Sequence, residues 1–207
     1  IFVLSKGHAC LAYYCVLQKF GYFSNKILKS YGKNNTILLS HVSHRVPGVD
    51  FSTGSLGHGL PYATGRALAE KINKTNNKIF VLVSDGELNE GTTWESLLFA
   101  AHHELDNLIT IVDYNKIQSL DFAKNVLKLE PLNKKFQSFG CNVKNINGHN
   151  FNQIYKRTNT SYKPLQHTIE THPGWTELVW FSDYKSASSV ERVEAFIKLG
   201  RPDPASY

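Results

Sequence analysis

The pair Asp85-Gly86 lies just past the apolar run KIFVLV, and Asn115 lies just past a second run, LITIV, 30 positions on (115 − 85). A helix-like stretch over 92–105 separates them. In an open parallel sheet, ligands bind outside the carboxyl ends of the strands, and both positions fall at such ends. A carboxylate, a carboxamide oxygen and a nearby backbone carbonyl make a hard oxygen set of the kind magnesium takes, with waters and a phosphate completing its shell. Gly86 lets a phosphate approach the backbone, and the helix that follows can aim amides at an anion. A helix cap accounts for Asp85 alone and a turn for Asn115 alone. The two together, at this spacing, imply a magnesium-bound diphosphate.

The elements that must position these residues are legible from pattern. A strand is expected over 1–4, a turn at Ser5-Lys6-Gly7, a helix over 8–20 stopped by Gly21, and a short helix over 25–31. The stretch LSHVSHRVPGVDFSTGSLGHG is rich in Gly, Ser and His and lacks periodicity, which marks a long functional loop. A helix follows over 60–74, with Ala63, Ala67 and Ile72 expected to pack inward. Strands over 78–83, 108–112 and 141–146 then alternate with helices over 92–105, 129–139 and 151–157. Such alternation implies βαβ units, hence a three-layer α/β fold with a mainly parallel sheet. On the helix over 92–105, Trp94, Leu98 and Phe99 are expected to pack against the core. After Lys163 the pattern changes, and the segment before a final helix at 190–199 finds no clear place in the sheet. The expected organisation is therefore a binding domain over 1–163 and a divergent segment over 164–207.

Composition narrows the classes. A chain of 207 residues, 42% hydrophobic, can bury one sizeable core. No apolar run approaches the roughly 20 residues that span a bilayer, and no charged-then-apolar leader with a small-residue cleavage site is expected. The net charge of +6 is spread over scattered lysines, which suits an anionic small molecule better than a nucleic-acid groove. Three cysteines without metal spacing fit a reducing, cytoplasmic setting. The chain has no methionine and opens on IFVL, so an N-terminally incomplete chain is expected. His41 and His44 form an H-x-x-H, and His102 and His103 are adjacent, but zinc needs more convergent ligands. The serines near histidines lack a G-x-S-x-G elbow, which speaks against serine nucleophile chemistry.

The set SDGELNEG…DYNKIQ resembles the thiamine diphosphate signature, and more narrowly the N-terminal module of transketolases. SKGHA, SHVSHRVPGVDFSTGSLGHG and LEPLNKKFQSFG…INGHN resemble the same group in family order, over roughly residues 1 to 160. The resemblance implies that Asp85 and Asn115 ligate magnesium by side chain and Ile117 by its backbone oxygen. It implies that Gly86 and the Gly54-Ser55-Leu56 turn contact thiamine diphosphate, and that His8, facing the diphosphate and the reacting centre, and His41, near substrate, are catalytic. Glu90 and Glu95 match acidic residues at a subunit contact. The implied activity is two-carbon ketol transfer between sugar phosphates. It requires a glutamate from a pyrimidine-binding domain, here expected on a partner, the C-terminal transketolase subunit, within a larger oligomer.

The departures are specific. Ser84 replaces the first glycine of Gly-Asp-Gly, His58 stands where glutamine is commoner, and TIETHPG stands where a strand and Gly-Lys-Gly loop are expected. These leave two alternatives: a non-catalytic remnant or interaction module that keeps the fold, or another thiamine diphosphate enzyme resembling deoxyxylulose-phosphate synthase.

Overall fold

The computed structural model describes residues 1–150 and the backbone of a strand at Thr176–Ser182. Among the described residues five strands form one sheet: β1 (Phe2–Leu4), β2 (Ile79–Ser84), β3 (Leu108–Tyr114), β4 (Cys141–Asn147) and β5 (Thr176–Ser182). Their order is β1-β2-β3-β5-β4, and every pairing is parallel. The α/β parallel architecture expected from the alternation is thus present.

Period-two burial divides the layers. Ile79, Val81 and Val83 of β2, with Leu108 and Val112 of β3, face a core completed by α3 (Gly59–Ile72), α4 (Gly91–His102) and α6 (Leu132–Ser138). Ala63 and Ala67 let α3 lie close to the strands, and Leu97, Ala100 and Phe136 fill the remainder. On the opposite side, Leu4 meets α1 (Cys10–Lys19), α2 (Asn25–Leu28) and the loop residues Leu38, Val42, Val46 and Val49. A one-turn helix α5 (Ala123–Val126) lies between β3 and α6. Tyr114 donates to Glu130 at 3.0 Å, and Glu130 accepts from the Leu132 amide at 2.9 Å, so the end of β3 is tied to the start of α6.

Three packing expectations fail. Ile72 ends α3 at 68% exposure, and Leu98 and Phe99 are 57% and 42% exposed on the outer face of α4. Each lies on the far side of its helix from a buried small-residue or leucine stripe that already meets the sheet, so hydrophobicity alone misplaces them. Trp94 does pack, between the rings of Phe136 and Phe139, with its Nε1 donating to the Leu88 carbonyl at 2.9 Å.

The stretch after Lys163 also departs from expectation, because TELVWFS forms β5 and inserts between β3 and β4. The expected helices over 151–157 and 190–199 and the TIETHPG segment lie outside the described residues. Cys10, Cys15 and Cys141 are buried, and burial pushes the Cys141 thiol up to about 12. Among the described residues no helix is long and apolar enough to cross a membrane.

Candidate functional site

The carboxyl ends of three adjacent strands carry the three segments that the sequence marks for chemistry. β1 runs into Ser5-Lys6-Gly7 and the 3-10 turn Gly7–Ala9, β2 into the 3-10 turn Asp85–Asn89, and β3 into Asn115-Lys116-Ile117. Register fixes their levels: Ser84 pairs with Asp113, so Asp85 follows level with Tyr114 and Asn115 stands one residue beyond. The Lys116 amide hydrogen-bonds to Asp85, closing the gap between the two exits.

Asp85 is 2% exposed, and its Oδ2 has no hydrogen-bond partner among the described residues. Burial raises its pKa to about 6, and nearby Asp113 adds to the rise. The amides of Gly86 and Lys116 and the charge of Lys6 act the other way. Lys6 is 3% exposed and pairs with Asp113 at 2.7 Å. Two carboxylates and one ammonium therefore share this edge, a balance that leaves room for a cation.

Asn115 is 5% exposed and accepts from the Ile117 amide at 2.9 Å through Oδ1, an Asx turn. That oxygen keeps a second lone pair. Lys116 takes a left-handed φ of 67°, and the Ala123 amide donates to its carbonyl at 2.9 Å, which holds Ile117 in place beside a bridge to Phe122. Asp85, Asn115 and Ile117 are thereby gathered at one place. A buried carboxylate oxygen without a partner, beside a carboxamide oxygen, fits a hard cation. Among the described residues no group of three or more His, Cys, Asp or Glu could hold a metal ion, and a set of one carboxylate, one amide and one carbonyl is not such a group.

The long loop folds onto the same edge. A Cβ on Gly7 would lie 2.7 Å from the Gly54 nitrogen, so the two backbones cross in direct contact. Gly54 in turn packs under the His41 ring, where a Cβ would lie 3.1 Å from Cδ2. Tyr14 donates to the His41 carbonyl at 2.9 Å and Thr53 to the Leu4 carbonyl at 2.5 Å. His8 and His41 are both exposed, on segments joined through Gly7 and Gly54. Ser55 is exposed and Leu56 half-buried, with Leu56 Cδ1 3.8 Å from the position of a Cβ on Gly86. His58, in place of a glutamine, faces its ring Nδ1 to the Leu56 carbonyl at 3.0 Å.

Glu87 is the residue that sequence reasoning missed. It is fully buried and accepts from the Ser5 hydroxyl, the Ser84 amide at 2.9 Å, the Ser84 hydroxyl at 3.3 Å and the Gly57 amide at 3.3 Å. One carboxylate thus ties together all of the segments around the edge except the exit of β3. Burial raises its pKa and these donors oppose the rise. Its sequence signal was available: Ser84 and Glu87 have capping-box spacing, and the structure forms that box. Glu90 is half-buried where the 3-10 turn ends, and Glu95 is exposed on α4.

A parallel α/β sheet with a polar, glycine-lined carboxyl edge defines a ligand-binding fold of the doubly wound type. The family described as transketolase, thiamine diphosphate binding domain, matches residues 1–168, and the chain belongs to it. It is 44% identical over 155 residues to one subunit of an apulose-4-phosphate transketolase from Actinobacillus succinogenes, covering 74% of this chain and 56% of the relative. It is 42% identical over 153 residues to one subunit of a 6-deoxy-6-sulfo-D-fructose transketolase from Clostridium sp., covering 73% and 56%. The transketolase of Campylobacter jejuni has the same fold at a TM-score of 0.79 and 25% identity, covering 98% of this chain and 34% of that one. The chain spans about half the length of the curated relatives it matches, 56% for these two.

Proposed function

We propose that this chain is the diphosphate-binding subunit of a two-subunit transketolase, working with a partner that carries the pyrimidine-binding domain. The observation that carries the reading is Asp85, whose buried, unpartnered Oδ2 stands where the Lys116 amide joins the exits of β2 and β3. Asp85 and Asn115 side chains and the Ile117 carbonyl would hold magnesium. Gly86 and the Gly54-Ser55-Leu56 turn would contact thiamine diphosphate. When bound, the cofactor supplies the electron sink for two-carbon ketol transfer between sugar phosphates.

The chain's own residues bind, orient and seal. Asp85 and Lys6 set the charge that meets a cation, Glu87 holds the exits of β1 and β2 and the loop at Gly57 at fixed spacing, and Leu56 closes over Gly86. His8 and His41, exposed on adjoining segments, can hydrogen-bond a diphosphate oxygen and a substrate hydroxyl.

Two features favour an interface with a partner. Relatives of similar pattern are themselves called subunits. Glu95, Leu98 and Phe99 share one exposed face of α4, an i, i+3, i+4 set in which two large apolar side chains flank an acid. A larger oligomer in a reducing cytoplasm suits this face and the three buried thiols.

Calorimetry of thiamine diphosphate binding, with and without magnesium, tests the cofactor reading. Binding is expected only with magnesium, and Asp85→Ala is expected to abolish it; equal binding in the variant refutes the site. Ketol transfer is then assayed with the chain alone and with a pyrimidine-domain partner. Activity is expected only on mixing, and turnover by the single chain refutes the division of the enzyme between two chains. Cofactor binding without turnover beside an authentic partner favours a non-catalytic remnant.

A further inference from the structure

The 3-10 turn after β2 carries a second polar feature that neither Asp85 nor Asn115 explains. Residues three apart eclipse on such a turn, so Asn89 stands on the same face as Gly86. Across from them, Gln118 Cδ lies 3.9 Å from the position of a Cβ on Gly86. The Asn89 amide donates to Gln118 Oε1 at 3.1 Å. The other two ends of the pair, Asn89 Oδ1 and Gln118 Nε2, are buried without partners among the described residues. Flipping both amides preserves their mutual bond and exchanges the leftover roles. In either assignment the pair offers one unmet donor and one unmet acceptor beside Gly86, where a Cβ would meet nothing closer than 3.8 Å.

Burying two such groups unpaired is costly, so a ligand that meets both is the natural counterpart. It must present an acceptor and a donor a short distance apart. A magnesium diphosphate that keeps part of its water shell does this: a phosphate oxygen accepts and a metal-bound water donates. We propose that Asn89 and Gln118 form a carboxamide clasp on hydrated magnesium diphosphate, the donor on a phosphate oxygen and the acceptor on a metal-bound water. This rests on the cofactor site proposed above and assigns two residues to it beyond the metal ligands.

The test uses near-isosteric acids in the full chain, with thiamine diphosphate plus magnesium, and separately inorganic pyrophosphate plus magnesium, as probes in calorimetry. Replacing the donor amide by a carboxylate sets charge against phosphate; replacing the acceptor amide keeps an oxygen for the water. One of Gln118→Glu and Asn89→Asp is therefore expected to weaken both probes at least about tenfold, the worth of one hydrogen bond to a charged group. The other keeps an oxygen for the metal-bound water but loses the N–H that donates within the pair, and is expected to weaken both probes by only about threefold. Which variant is the more weakened reads out the amide orientation. The neutral Gln118→Met should also weaken both probes, with apo thermal stability close to that of the unaltered chain. Two acid variants that bind alike, whether both intact or both equally weakened, overturn the clasp. Asp85→Ala serves as the control: if it loses binding while the acids show no asymmetry, the clasp fails alone. If Asp85→Ala binds normally, the cofactor site fails and the clasp with it.

Discussion

The Ser5 hydroxyl donates to Glu87 Oε1 across 82 positions of sequence, and the same oxygen accepts from the Gly57 amide. This buried acceptor fixes the exit of β1 against the 3-10 turn of β2. Glu87→Ala leaves buried donors of Ser84 and Gly57 unmet and should cost about 3 kcal/mol of unfolding free energy. Glu87→Gln keeps one acceptor oxygen and should cost about half as much. Urea denaturation of the two variants measures the difference; equal losses would mean that burial volume rather than hydrogen bonding sets the effect.

Asp85 makes the metal-free chain sensitive to pH. Its folded pKa, about 6, lies above its ordinary value of 3.8. The folded state then holds the proton more tightly, so the stabilising contribution is complete below the unfolded pKa and is lost as pH rises through the folded one. Between pH 5 and 7 the unaltered chain should lose about 1 kcal/mol relative to Asp85→Asn. Denaturation of both proteins at the two pH values, without magnesium, checks the sign.

Two glycines should respond oppositely to alanine. A Cβ at Gly7 meets Gly54 backbone at 2.7 Å, whereas one at Gly86 finds nothing closer than 3.8 Å. Gly7→Ala should destabilise the apo chain by about 1–3 kcal/mol through overpacking. Gly86→Ala should leave apo stability within about 1 kcal/mol of the original, since only unfolded-state freedom changes. It should nevertheless impair magnesium-dependent binding of thiamine diphosphate, because the added methyl takes the space through which a phosphate would approach the backbone. Thermal denaturation paired with calorimetry separates the two outcomes.

Lys6 and Asp113 form a pair in which Lys6 is 4% and Asp113 26% exposed by side chain. Lys6→Met strands Asp113 beside Asp85 and should cost about 2 kcal/mol, less than a wholly buried pair because Asp113 retains some water. Adding Asp113→Leu should recover much of that loss. A double variant as unstable as the single one would show that Lys6 acts through other contacts.

The strands β2 and β3 were legible because each is an apolar run rich in β-branched residues and closed by a polar one, and the carboxylate and carboxamide just past their ends gave the edge its chemistry. Glu87 was obscured by its neighbours: in SDGELNEG the eye goes to Asp85, while the residue that organises the loops reads as one more acid. Asn89 and Gln118 carry no signal in a single sequence, since their pairing depends on how two turns meet. Ile72, Leu98 and Phe99 misled because an apolar side chain does not state which face of its helix is already filled. TELVWFS has strand composition, yet its place between β3 and β4 follows from a nonlocal crossover that local pattern cannot supply.

That crossover has a consequence for how the chain is made. β4 has β5 as its neighbour in the sheet, and β5 also covers the outer edge of β3. During synthesis from the N-terminus, β1, β2 and β3 can zip together as each emerges, but the hydrogen-bonding edge of β3 stays open until residues 176–182 leave the ribosome. For the time needed to add the residues between 114 and 176, a bare parallel edge faces the cell, a ready template for mispairing with other chains. Among the described residues, the strand latest in sequence is therefore the one that shields the edge of β3 from strangers.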